Sequence, residues 1–345
     1  MDESKAQEFT GRVLTDTAAA ATVVMAALGD RLGLFKQLAR GGPATSGELA
    51  SRAGLSERYV REWLDGMRAA GYLEFDGAED RFWLPAEHVP TLASEPGSAF
   101  FGGVHQELIG AIQRYDQVAA AFHDGGGVAP ADLHLDVWAG TSRFTAQWHQ
   151  NMLVQQWLPL VPDTTAKLSA GARVADVGCG TGQALIALAR AFPGITATGY
   201  DVHPPSVEQA RRAAAEAGLA DRISYQVLDA AGGLPESFDV VHDAVDPLGL
   251  LRSIRDALRP GGSYLCLEIN CSDQAAANVG PIATLLYGFS ILYCMTTSLA
   301  EGGEGLGTLG LPEPALRDLA AKAGFARVRH VEMDNPFNSL YELAR

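Results

Sequence analysis

The segment VADVGCGTG, residues 174 to 182, places an acid two residues ahead of three alternating glycines: Asp176, then Gly178, Gly180 and Gly182. An apolar run ending in this way describes a strand that enters a loop whose backbone can lie close to a nucleotide-like ligand. The register of the glycines narrows that ligand. A dinucleotide-binding GxGxxG would put its third glycine at position 183, which is Gln183, and no Lys-Ser or Lys-Thr follows the loop as a P-loop requires. The ligand is therefore expected to carry little negative charge, with Asp176 near an amino-acid-like or cationic moiety. A second acid, Asp201, ends the apolar run ITATGYD 23 positions past Gly178. At that spacing the second strand of a βαβ unit offers a carboxylate to ribose hydroxyls.

These residues need a sheet to hold them. The helix pattern TGQALIALARAFP stops near Pro193, PSVEQARRAAAEAG reads as a second helix, and LLRSIRDALRPGG as a third, closed by a Pro-Gly-Gly turn. Between them lie the runs ISYQVLDA (223 to 230), FDVVHDA (238 to 244) and SYLCLEIN (263 to 270), and FARVRHVEM with NSLYELAR reads as a terminal antiparallel pair. The alternation over residues 171 to 345 predicts an α/β fold with a doubly wound, mostly parallel sheet and an antiparallel terminal strand. Ligands then sit at the carboxyl ends of the strands.

With Asp176, Asp201, Asp229 and the end of FDVVHDA in order on four strand ends, this region resembles the class I S-adenosylmethionine-dependent methyltransferases and their Rossmann-like domain. The resemblance implies S-adenosyl-L-methionine as cofactor and S-adenosyl-L-homocysteine as product. It implies that the loop of Asp176, Gly178, Gly180 and Gly182 holds the methionine part, Asp201 the ribose, and Asp229 with Ala230 the adenine.

Methyl transfer from a sulfonium is an in-line displacement, so such a domain must orient the acceptor and, for a hydroxyl or enol, remove a proton. His242 and Asp243 end the fourth strand, and an imidazole titrates nearest neutrality, which makes the pair the candidate base. The alternative is structural: His242 supports the adenosyl group through its backbone, and Asp243 caps the next turn with Asp246 and Pro247. His149, on the helix pattern FTAQWHQNMLVQQWLPLVP (144 to 162), either meets the acceptor or bonds within the protein. The insertion 278 to 311 offers Tyr287 and Tyr293 beside Phe289 and Met295 as an acceptor wall, although helix packing would produce the same stripe. GEGLGTLG (303 to 310) reads as a mobile lid. No dedicated metal set is expected; an iron site of His242, Asp243 and a second histidine is the one arrangement considered.

Twenty-six Lys and Arg against 41 Asp and Glu leave a net charge of −15 across 345 residues, which argues against nucleic-acid and anionic-membrane partners. The four cysteines show no CxxC spacing and read as buried free thiols in a reducing cytoplasm. MDESKAQEFTGRV lacks the basic flank of a signal peptide, and the apolar stretch 282 to 299 reads as a buried or pocket-lining helix.

Residues 23 to 95 read as a mostly helical winged-helix domain. TSGELASRAG opens with a capping-box pattern at Thr45 and Glu48, and SERYVREWLDGMRAAGYL gathers Tyr59, Val60, Trp63, Leu64 and Met67 on one face. YLEFDGAEDRFWLP forms the wing. Residues 1 to 90 hold ten basic and fourteen acidic side chains, a net of −4, where a groove-reading helix needs a cationic surplus. The ERYVREWL, FDVVHDAVDP and CMTTSLAEGGEGLGTLG segments resemble a bacterial group of winged-helix small-molecule methyltransferases often mislabelled as regulators. The expected organisation is 1–95 for winged helix and dimerisation, 96–165 for a helical, pocket-covering linker, and 166–345 for the methyltransferase domain. The expected protein is a cytoplasmic homodimer that methylates a small, partly apolar metabolite at oxygen or carbon. A cofactor-sensing regulator and a methyltransferase-fold enzyme of another reaction are the alternatives.

Overall fold

The computed structural model describes residues 1–95, 97–242 and 248–345. Its contacts separate two units, one of residues 1–113 with 135–147 and one of residues 114–134 with 148–345. The first begins with a 29-residue helix, α1 (Glu3–Arg31), followed by α2 (Leu34–Gly41), α3 (Ser46–Ala53) and α4 (Glu57–Ala69). The predicted capping box is formed: Thr45 Oγ1 accepts from Glu48 N at 3.2 Å, and the Glu48 carboxylate accepts from Thr45 N at 3.1 Å. On α4, Val60, Trp63, Leu64 and Met67 are buried, but Tyr59 is 82% exposed. This corrects the sequence expectation, and the reason is geometric: Tyr59 lies one residue, about 100°, round the helix from Val60, beyond the edge of the apolar stripe. The wing is β1 (Glu74–Asp76) paired with β2 (Arg81–Trp83), and Ala44 bridges to Phe82.

After a short α5 (Val89–Leu92) come α6 (Gly102–Ile112), α7 (Tyr115–Asp124, which groups with the second unit) and α8 (Leu135–Trp148). Glycines let α6 and α8 approach closely: a Cβ on Gly140 would lie 2.4 Å from Glu107 N, and one on Gly110 2.6 Å from Val137 N. The approach leaves Glu107 only 7% exposed. Burial pushes its carboxyl up to about 7, partly offset by a hydrogen bond from Thr141.

In the second unit a π-helical stretch, His149–Trp157, leads to α9 (Pro162–Ser169). The sheet elements follow in order as β3 (Arg173–Val177), α10 (Gln183–Ala191), β4 (Thr196–Asp201), α11 (Pro204–Glu216), β5 (Ile223–Val227), β6 (Phe238–His242), α12 (Leu248–Ala257) and β7 (Leu258–Ile269). The substrate-side insertion holds α13 (Gly280–Phe289), a π-helical turn at Ser290–Cys294, and α14 (Met295–Ala300); α15 (Glu313–Ala323), β8 (Arg327–Val331) and β9 (Asn338–Ala344) end the chain. The strand order is β5-β4-β3-β6-β7-β9-β8, with β3 to β7 parallel and β9 antiparallel to both neighbours. One apolar core packs α9, α10 and α11 on one face, and a second packs α12 and α15 on the other. The sheet is the doubly wound one expected from the alternation of runs.

Two helical segments, Glu3–Arg31 and Gly280–Ala300, are long and apolar enough to cross a membrane. In the second, Ala283, Leu286, Phe289, Ser290 and Thr296 are buried within the protein. The loop 303 to 310 is not the free lid its glycines suggested. A Cβ on Gly307 would lie 2.1 Å from Ser290 Oγ, Thr308 N donates to that hydroxyl, and Gly305 N donates to Ser298 Oγ. The glycines there serve close packing. Likewise a Cβ on Gly127 would lie 1.8 Å from Thr296 O, and Val128 N donates to Thr296 Oγ1 at 3.0 Å, which fastens the 125 to 132 turn to α14. All four cysteines are free.

Glu107 gives a stability prediction. Its ordinary value of 4.5 applies in the unfolded chain, and its folded value is about 7, so the stability it permits is complete below pH 4.5 and lost as pH rises through 7. The melting temperature of Glu107→Gln should match the wild type near pH 5 and exceed it by a few degrees at pH 8.5, measured by thermal denaturation.

Candidate active site

The glycine loop leaves β3 with all three glycines left-handed, φ being 71° at Gly178, 50° at Gly180 and 77° at Gly182. A side chain at any of them would be strained. Two amides, Gly178 N and Cys179 N, donate to Tyr200 O on β4, which folds the loop back over the strand ends. A Cβ on Gly180 would meet nothing within 4 Å, so this part of the loop borders open space.

Asp201 ends β4 beside the loop. Its Oδ2 accepts from Gly180 N and its Oδ1 from His203 N, both at 2.8 Å. Each carboxylate oxygen keeps a lone pair for a further donor. Asp229 is exposed at the end of β5; its Oδ1 accepts from Ala231 N at 2.9 Å, and Ala230 beside it is buried. Gly-rich backbone, Asp201 and Asp229 thus lie on three neighbouring carboxyl ends, β3, β4 and β5. Open loop space at Gly180 and free acceptor capacity at Asp201 fit an adenosyl sulfonium.

Asp176 and His242 are register partners on β3 and β6, and their side chains meet: His242 Nδ1 and Asp176 Oδ1 are 3.0 Å apart. Asp176 is 2% and His242 3% exposed, so Asp176 turns inward to the histidine and presents little surface to a ligand. His242 Nε2 is buried and has no hydrogen-bond partner among the described residues. The ring of His149, on the π-helical stretch, stands edge-on to His242 with centroids 5.4 Å apart and planes at 78°. Burial, and then the neighbouring His242, hold His149 down to about 3, so it is a neutral imidazole at any working pH. π-Helical turns recur at functional sites because they displace side chains from the regular helical positions.

Asp243, read in sequence as the partner of His242, lies outside the described residues. Of the acceptor-side tyrosines, Tyr287 on α13 is 42% exposed, and Tyr293 sits in the π-helical turn, where its carbonyl accepts from Thr297 Oγ1. Among the described residues no group of three His, Cys, Asp or Glu side chains could hold a metal ion, and the iron arrangement finds no support.

Two features escaped the sequence reading. The Asp176–His242 bond was open to it, since both residues end strands that a doubly wound order makes neighbours. Glu268, near the carboxyl end of β7, is the other: burial pushes its carboxyl up to about 7, and hydrogen bonds from Ile269 N and Cys266 pull it part of the way back. Its sequence signal was an acid closing the apolar run SYLCLEIN.

Comparison with known proteins places both units. Residues 20–94 match an Rv2258c-like winged HTH domain, and residues 168–289 match the family described as methyltransferase domain. The chain is similar to mitomycin biosynthesis 6-O-methyltransferase of Streptomyces lavendulae, 25% identical over 86% of each chain. It is 34% identical to a ubiquinone biosynthesis O-methyltransferase of Dinoroseobacter shibae over 31% of its own length, and spans about half (45%) of that relative. Among solved structures, PigF with SAH superposes with a TM-score of 0.70 at 21% identity, covering 100% of this chain and 99% of that one. The chain therefore joins an amino-terminal winged helix-turn-helix domain to a methyltransferase domain with the class I, Rossmann-like fold.

Proposed function

We propose that the protein methylates a hydroxyl of a small, partly apolar metabolite, with His242 as the base. The observation that carries this is the buried Asp176–His242 pair, whose Nε2 has no hydrogen-bond partner among the described residues. Asp176 accepts the Nδ1 proton and so leaves the Nε2 lone pair as a proton acceptor, the role an aspartate plays behind a catalytic histidine elsewhere. The cofactor, when bound, supplies an electrophilic methyl group. Asp201 would hold its ribose, the glycine loop its methionine part, and Asp229 with Ala230 its adenine. His242 Nε2 would take the proton of the acceptor hydroxyl as its oxygen gains the methyl group and the carbon–sulfur bond of the sulfonium breaks, leaving the neutral thioether S-adenosyl-L-homocysteine. His149, neutral and beside His242, orients the acceptor, and Tyr287 and Tyr293 contribute phenol-bearing apolar surface. O-methyltransferases of mitomycin and ubiquinone biosynthesis among its relatives support oxygen as the attacking atom.

The regulator reading is disfavoured by pairing as well as by net charge. Arg58 lies 2.5 Å from Glu62, Arg61 2.6 Å from Glu57 and Arg81 2.7 Å from Glu48, so these cations of the helix-turn-helix and wing face acids. The partner we infer is a second copy of the chain. Phe9, Val13, Leu14, Val24 and Leu28 are exposed along α1, a larger apolar stripe than a lone soluble helix usually presents. Its free thiols and acidic composition support a cytoplasmic location.

Four outcomes test this reading. Asp176→Asn, which offers a donor to Nδ1 and imposes the wrong tautomer, should lower kcat about 10²- to 10⁴-fold while calorimetric affinity for S-adenosylmethionine stays within a few-fold; a large loss of affinity instead would return Asp176 to the methionine part of the cofactor. Asp201→Ala should weaken cofactor binding at least about tenfold, and an unchanged affinity would sink the site. Transfer of labelled methyl to phenols, hydroxyquinones or naphthols identifies the acceptor class. Leu14→Glu should shift the light-scattering mass from dimer to monomer.

A further inference from the structure

We propose that Tyr225 on β5 is a positioning residue for the cofactor, acting through the Gly182 carbonyl and the start of α10. The inference rests on the cofactor-site reading above and adds to it a residue buried behind the glycine loop.

Tyr225 is the register partner of Gly199 in the β4–β5 ladder. Its ring leans across that glycine: a Cβ on Gly199 would lie 2.4 Å from Tyr225 Cδ1 and 2.8 Å from Cys179 Sγ. On the other side the ring reaches the loop, where a Cβ on Gly182 would lie 2.4 Å from the Tyr225 hydroxyl oxygen. Two glycines, one on a strand and one in the loop, thus open the space that one aromatic ring fills. The ring is 3% exposed, and its hydroxyl donates to Gly182 O at 2.9 Å.

Gly182 is the N-cap of α10, and its carbonyl also accepts the first helical bond, from Ile186 N at 3.2 Å. Tyr225 therefore grips the residue at which the loop becomes a helix. The amides of that first turn have no acceptor within the helix, and their direction is set by where the Gly182 carbonyl is held. Burial, with Asp176 and then Cys179 nearby, pushes the phenol above its ordinary range, so the hydroxyl remains a donor at every pH at which the protein works. The sequence reading took Gly182 only as part of a ligand loop; the structure shows that its missing side chain also makes room for Tyr225.

The test compares wild type, Tyr225→Phe and Tyr225→Leu by calorimetry with S-adenosylmethionine, by steady-state kinetics with whichever acceptor the labelled-methyl screen finds, and by thermal denaturation. Tyr225→Phe keeps the ring and loses only the bond to Gly182 O. It should bind the cofactor about 3- to 10-fold more weakly, with kcat at saturating cofactor and KM for the acceptor within twofold of wild type. Tyr225→Leu should weaken binding further. A purely stabilising tyrosine would instead lower the melting temperature with no change in cofactor affinity, and a Tyr225→Phe affinity within 1.5-fold (a rough threshold) of a wild type that binds overturns the inference alone. If Tyr225→Leu does not fold, Tyr225→Phe decides. A wild-type chain that binds no cofactor overturns the cofactor-site reading and this inference together.

Discussion

The parallel ladder of β3 with β4 and β6 is the constraint on which the site rests. Asp176 is level with Gly199 on one side and with His242 on the other. Because side chains alternate between the faces of a sheet, a slip of one residue in the β3–β6 pairing would send Asp176 and His242 to opposite faces. In the register observed, a carboxylate and an imidazole, each nearly inaccessible to solvent, meet at 3.0 Å. Neither would be tolerated alone: a buried unpaired charge costs several kcal/mol, and pairing with a hydrogen-bonding partner offsets that cost. The same register therefore fixes the sheet and prepares the histidine.

Around this pair the glycines divide into kinds with different reasons. Gly180 faces open space and has a left-handed backbone, so its freedom belongs to the ligand side of the loop. Gly182 is left-handed as well, yet a side chain there would also strike Tyr225; Gly199, in an ordinary strand, is glycine because a Cβ there would strike the Tyr225 ring and the Cys179 thiol. Gly127, Gly140 and Gly307 have no part in the loop and mark backbone or side-chain approaches that a Cβ would block. A count of glycines in this chain says little until each has been placed against its neighbour.

In the first unit the capping box and the α4 stripe were legible because both are local patterns: a hydroxyl three residues before an acid, and apolar side chains at helical spacing. Tyr59 was misplaced because an aromatic adjacent to a stripe looks like part of it in sequence. The pairing of arginines with glutamates was visible in part, since Glu57 with Arg61 and Arg58 with Glu62 are four apart on one helix. Arg81 with Glu48 joins the wing to α3 across 33 positions, and only the fold shows it.

The sequence by itself determined the fold class, the strand order's ligand end and the positions of Asp201 and Asp229, because these follow from periodicity and from spacing within single βαβ units. It also ruled out a dinucleotide or P-loop register at Gly178, Gly180 and Gly182. Only the tertiary structure decided what Asp176 faces, which residue stands behind His242, that His149 comes edge-on to it, and that Tyr225 fills the space two glycines leave. Those facts depend on contacts between residues 43 to 93 positions apart. Such contacts are set by strand register and core packing, and no local pattern of residues encodes them.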